Sequence, residues 1–145
     1  MIGRLSGTGI GVSWEHVPVA PVRIVRTENE TGWTIRLSAR AHEKIEREVA
    51  HWTSVETGGV LLGRQDEVTR SFYVIDVLAA PEDSQRSRHK FVLGVKDLRR
   101  TLDNYVRTTN ATLYCLGTWH SHLAPSGPSA LDNQSAQAMG LARLA

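Results

Sequence analysis

The stretch Trp119-His120-Ser121-His122-Leu123-Ala124-Pro125-Ser126-Gly127-Pro128-Ser129-Ala130-Leu131-Asp132 concentrates side chains that can hold a metal. Side chains two apart on a strand point the same way, so His120 and His122 can present two imidazoles to one point in space. The Pro/Gly turn that follows can fold the chain back. Asp132 then falls in the first turn of a helix, where it can supply a third ligand. Two imidazoles and a carboxylate leave one position open on a tetrahedral zinc, which marks a catalytic site rather than a closed structural one. Zinc lowers the pKa of a bound water to about 7, giving hydroxide near neutral pH. Each motif also has a plainer reading. His-x-His at a strand end is often two polar surface residues. Ser129-x-x-Asp132 matches a helix capping box, in which Ser129 bonds a backbone N–H and Asp132 favours the positive end of the helix dipole.

Glu56 shifts the balance toward chemistry. It precedes Gly58-Gly59 and the apolar run Val60-Leu61-Leu62, so it sits at the mouth of a buried strand. A metallohydrolase needs a carboxylate to take a proton from water and pass it to the leaving amine. Glu56 can be that general base. The other four histidines lie among polar or basic residues, and His16, His42, His51 and His89 read as surface side chains.

These residues must be positioned by a small set of elements. Val22, Ile24, Trp33, Ile35 and Leu37 alternate with polar residues around a turn at 28–32, which predicts a β-hairpin over 22–37. Ser38 can cap a helix to about Trp52, with Ala41, Ile45, Val49 and Trp52 on one face. Strands are expected at 60–62, 72–78, 91–93 and 113–120, the last running into the histidines. Val95, Leu98, Leu102 and Val106 predict an amphipathic helix over 95–108. A final helix is expected from about Ser129. This order is a mixed α/β (α+β) arrangement without the regular alternation of a doubly wound sheet. Residues 1–21, rich in Gly, Ser and Pro, read as a leader or linker. Gly7-Thr8-Gly9-Ile10-Gly11 lacks the preceding strand and the spacing of a phosphate loop.

Composition narrows the classes. The chain has 145 residues, 41% of them hydrophobic, which suits one domain with a real core. The net charge of +2 does not by itself imply nucleic acid. Arg86, Arg88, His89, Lys90, Lys96, Arg99, Arg100 and Arg107 form the densest basic stretch. Asp97 and Asp103 dilute it and few aromatics interleave it, so a solvated helix face is expected rather than a base-stacking surface. The single cysteine, Cys115, excludes an internal disulfide and suits a reducing cytoplasm. No apolar run reaches the length of a membrane span, and the N-terminus lacks a signal-peptide core.

Taken together, VETGGVLLGR with Glu56, GTWHSH with His120 and His122, and PSALD with Ser129 and Asp132 resemble the JAB/MPN (JAMM) metallopeptidase family, most of all its prokaryotic branch. The resemblance covers about residues 33–145 and includes the order of elements. It implies a cytidine-deaminase-like sheet flanked by helices, with zinc at a strand end held by His120, His122 and Asp132. It implies that Glu56 binds and deprotonates the water and that Ser129 donates to the tetrahedral oxyanion. The activity implied is cleavage of amide or isopeptide bonds after the C-terminal glycine of a ubiquitin-like or sulfur-carrier protein. The partners implied are that substrate and, in some relatives, adenylating and conjugating enzymes of antiphage defence operons. Six residues separate His122 from Ser129, where the family usually has seven, and Leu123 stands where a Pro is common. Family domains ordinarily continue into a further strand, so the 22–145 domain reads as C-terminally truncated, as a fragment of a fusion protein, or as a minimal version. Non-catalytic MPN interaction modules typically lack the Glu or a ligand, and this chain carries each of them.

Overall fold

The computed structural model describes residues 32–124 in full and, before them, the backbone of three strands. Strand β1 (Ile2–Leu5) pairs antiparallel with β2 (Val12–Glu15) as a separate two-stranded ribbon inside the stretch expected to be a leader. Strand β3 (Val22–Val25) pairs antiparallel with β4 (Thr34–Ser38), Val25 opposite Ile35, which is the hairpin that the alternation predicts.

Ser38 then ends the strand and starts α1 (Ala39–His51): its hydroxyl accepts the Ala41 N–H at 3.1 Å and donates to the Ile75 carbonyl at 2.7 Å. Ala41 is fully buried, and Ile45 packs with it against Leu37, Val74 and Val77. Val49, expected on the same face, is 38% exposed. Trp52, also assigned to that face, instead closes the helix and lays its ring under the Arg86 guanidinium.

The centre of the molecule is β5 (Gly58–Asp66), hydrogen-bonded on one side to β6 (Ser71–Ala79) and on the other to β9 (Tyr114–His120). The five strands run in the order β3-β4-β6-β5-β9, antiparallel except for the parallel pair β4 and β6. A strand with a neighbour on each edge and packing above and below must be apolar, which is why Val60 and Leu62 are buried and Leu61 joins the α1 cluster. Gly58 and Gly59 permit this closeness. A Cβ at Gly58 would lie 2.3 Å from the Trp119 carbonyl oxygen, and one at Gly59 would lie 2.1 Å from that of Leu78.

Between β6 and the second helix the chain forms a short hairpin, β7 (Gln85–Arg86) with β8 (Phe91–Val92), so the strand expected at 91–93 pairs locally and stays out of the main sheet. Asp83 closes its base by accepting the N–H groups of Val95 and Lys96, and Ser84 accepts that of Gly94. The Val95 N–H, more than any other group, holds the Asp83 carboxyl below its ordinary value. This latch corrects the helix boundary. Val95 belongs to the latch and is 77% exposed; α2 runs only from Leu98 to Thr108, after Asp97 in a left-handed conformation (φ 57°). α2 packs beside β9. The expected final helix, with Ser129 and Asp132, lies outside the described residues. Among those described, no helix is long and apolar enough to cross a membrane.

Candidate active site

Strand pairing carries Glu56 to the histidines. In the β5–β9 register Gly58 faces His120 and Gly59 faces Trp119. Extended by one residue past the strand ends, that register sets Thr57 against Ser121. The hydrogen bonds follow it: the Ser121 N–H donates to the Thr57 carbonyl at 2.7 Å, and the Thr57 N–H donates to the Ser121 hydroxyl at 3.1 Å. One step further brings Glu56 opposite His122. Its carboxylate lies 3.9 Å from His122 Nδ1, too far for a hydrogen bond and near enough for attraction. On its other side, the Glu56 N–H donates to the Ser87 carbonyl of the β7–β8 hairpin at 2.8 Å. Glu56 is 7% exposed.

His120 and His122, two apart along one extended segment, turn the same way. Their Nε2 atoms approach to 3.0 Å and their ring centroids to 4.8 Å. In tetrahedral geometry, two zinc-bound nitrogens lie about 3.3 Å apart, so this pair fits two corners of such a site. Among the described residues no three His, Cys, Asp or Glu side chains gather into a complete ligand group. Asp132, to which the sequence assigns the third position, and Ser129 lie outside those residues.

A cleft of about 250 Å³ opens beside the carboxylate, lined by Glu56, Arg88, His89, His122, Leu123 and Ala124. One wall is cationic, the other apolar. The sequence reading leaves His89 among surface histidines and Arg86 and Arg88 in a solvated basic run. The structure keeps Arg88 and His89 exposed but sets them in the cleft wall, and it buries most of Arg86. Thr57 and Ser121 also emerge only here. No spacing signal marks any of them, because each acquires its role from pairing between segments far apart in sequence. The rest of the basic run behaves as expected of a solvated face: Arg100 meets Asp97 at 3.0 Å and Arg99 meets Asp103 at 3.9 Å, both pairs exposed.

A buried acid facing two converging imidazoles across a cleft can exchange protons with a water or a leaving group there. A curated relative from Enterobacter hormaechei subsp. hoffmannii (strain UCI 50), the CD-NTase/cGAS isopeptidase, is 33% identical over 106 residues. That match takes in 71% of this chain, which spans only 56% of the relative's length. The solution structure of protein DSY2949 from Desulfitobacterium hafniense is 28% identical, covers 69% of this chain and 65% of its own, and superposes with a TM-score of 0.45. The mixed sheet flanked by helices is JAB-like, residues 38–145 match the family described as prokaryotic homologs of the JAB domain, and the chain belongs to that family.

Proposed function

We propose that the chain is a zinc-dependent isopeptidase that cuts the amide bond after the C-terminal glycine of a ubiquitin-like or sulfur-carrier protein. The observation that carries this reading is the apposition of the buried Glu56 carboxylate to His122 at 3.9 Å, beside the converging His120 and His122 nitrogens. His120, His122 and Asp132 would hold the zinc, which when bound supplies a Lewis acid that polarises the scissile carbonyl and acidifies the attacking water. Glu56 takes the proton from that water and delivers it to the departing amine nitrogen, so the bond breaks to a carboxylic acid and a neutral amine. Burial of Glu56 keeps this transfer away from bulk solvent. Ser129 would donate a hydrogen bond from its hydroxyl to the oxygen on which negative charge develops. The name of the Enterobacter relative supports an isopeptide substrate and makes a CD-NTase conjugate the acceptor to try first. Adenylating and conjugating enzymes of the same pathway would make such conjugates.

The test is single-turnover cleavage of peptide and isopeptide fusions to a ubiquitin-like glycine tail, with elemental analysis alongside. Wild type should carry one zinc and cleave; His122→Ala should lose both properties. Equal zinc in the two proteins would sink the ligand assignment. Zinc bound without cleavage of any fusion would instead identify an interaction module. Ser129→Ala should slow turnover roughly tenfold to a thousandfold if the hydroxyl faces the oxyanion. Unchanged turnover with about 1 kcal/mol less stability would make it a helix cap.

A further inference from the structure

The Glu56–Thr57 dipeptide is gripped from three directions. The hairpin takes the Glu56 N–H through Ser87, and the histidine strand takes both backbone groups of Thr57 through Ser121. The third grip is a side-chain relay. Arg86 Nε donates to the Thr57 hydroxyl at 3.2 Å, and that hydroxyl donates to Glu48 Oε1 of α1 at 3.1 Å. A second Arg86 nitrogen lies 3.8 Å from the same Glu48 oxygen. The guanidinium also lies 4.4 Å from the Trp52 ring centre and 6.0 Å from that of Phe91. Thr57 is fully buried, and the Arg86 side chain is 13% exposed.

We propose that Arg86 is a positioning residue for Glu56, acting through the Thr57 hydroxyl and Glu48; the proposal rests on the isopeptidase reading. Arg86 belongs to β7, Glu48 and Trp52 to α1 and its cap, and Ser121 to the end of β9. The relay ties the hairpin to α1 through the Thr57 hydroxyl, while the Ser121 hydrogen bonds tie the same residue to the histidine segment. The Thr57 hydroxyl has one proton, which goes to Glu48, and its free lone pair takes the Arg86 N–H. That gives the relay a single direction. An ammonium cannot replace the guanidinium, because the planar group donates to Thr57 and faces Glu48 while stacking on Trp52. Arg86 is not among the residues that line the cleft, whereas Arg88 and His89, two and three residues on, are. Its effect must therefore pass through the backbone of Glu56. Displacing a catalytic group by about 1 Å costs on the order of a hundredfold in rate, so a loosened relay lowers turnover without touching substrate.

The test measures amide hydrogen exchange and single-turnover cleavage on the full chain, for wild type, Arg86→Met, Thr57→Val and Thr57→Ser. Arg86→Met and Thr57→Val should speed exchange at the Glu56 and Thr57 amides at least about tenfold, leaving the Val74 amide in the core unchanged. Turnover should fall about ten- to a hundredfold with KM within about twofold. Thr57→Ser keeps the hydroxyl and should restore the wild-type exchange pattern. Thr57→Val is close to isosteric and decides the matter if Arg86→Met does not fold. Unchanged exchange at Glu56 in both variants overturns the proposal. So does a raised KM with turnover retained, which would make the hairpin a substrate-binding element only. If wild type cleaves no fusion, the isopeptidase reading fails, and the exchange measurement still judges the relay.

Discussion

Asp76 and Glu56 are withdrawn from solvent to nearly the same degree, 5% and 7% exposed, and their surroundings differ. Asp76 meets Lys44 at 2.6 Å and Arg40 at 3.5 Å from α1, and it accepts the Tyr105 hydroxyl of α2 at 3.1 Å and the Val77 N–H at 2.8 Å. Burial pushes its carboxyl up, but Lys44, the Val77 N–H and Tyr105 outweigh burial and hold it below the ordinary value of 3.8. Glu56 has an open cleft on one side, with His122 Nδ1 at 3.9 Å from its carboxylate. A carboxylate with its lone pairs filled is a strut that ties two helices to a strand. One that faces a cleft, with no hydrogen bond to its oxygens among the described residues, is open to a molecule bound there.

The largest effect should separate these roles directly. Glu56→Gln keeps shape and removes the base, so turnover should fall at least about a hundredfold. Its melting temperature and zinc content should match wild type. Full turnover in the zinc-loaded variant would refute the assignment of Glu56 as the base.

Asp76→Ala should do the opposite. It strands Lys44 and Tyr105 without their acceptor, and urea unfolding should show a loss of about 2–3 kcal/mol, less than for a wholly buried pair because Lys44 is partly exposed. Turnover per folded molecule should stay within about twofold, since the partners of Asp76 are Lys44, Arg40, Tyr105 and Val77 rather than Glu56, His120 or His122. A collapse of turnover in the folded variant would end the distinction drawn here.

The pH dependence follows from the same carboxylate. Because the folded state lowers the Asp76 pKa, its stabilising contribution is complete above the unfolded value of about 3.9. It is lost as pH falls through the still lower folded value. Asp76→Asn should therefore flatten the stability profile below about pH 4. An acid limb identical to that of wild type would show that other carboxylates govern it.

The smallest effect concerns α1, the element both regions share: Lys44 and Arg40 serve Asp76, and Glu48 serves Thr57. Ser38→Ala removes its N-cap and should cost about 1 kcal/mol. The measurement is thermal unfolding, with no change expected in the Glu56→Gln comparison. No shift would mean that water satisfies both the Ala41 N–H and the Ile75 carbonyl once the hydroxyl is gone.

Local pattern in the chain determined a good deal. The alternation of Ile35 and Leu37, the Ser38 cap, the apolar run of β5 and the strand ending at His120 are all side-chain periodicities that the backbone must obey. His120, Ser121 and His122 are adjacent in sequence, so the meeting of two imidazoles needs no more than an extended backbone. The start of α2 was not legible in this way. Val95 fits the helical period, and only the side chain of Asp83, twelve residues earlier, pulls it out of the helix. The motif named Glu56, but the pairing that brings it to the histidines, and the part of Arg86, were not legible from local pattern. Glu56 lies over sixty residues from His122, and Arg86 lies twenty-nine from Thr57. Their contacts follow from which strand lies beside β5 and in which register, and from a hairpin folded back onto the end of the sheet. A one-residue slip would turn Glu56 away from His122. Spacing therefore named the groups able to do chemistry, while long-range pairing decided which carboxylate faces the histidines and which one braces the helices.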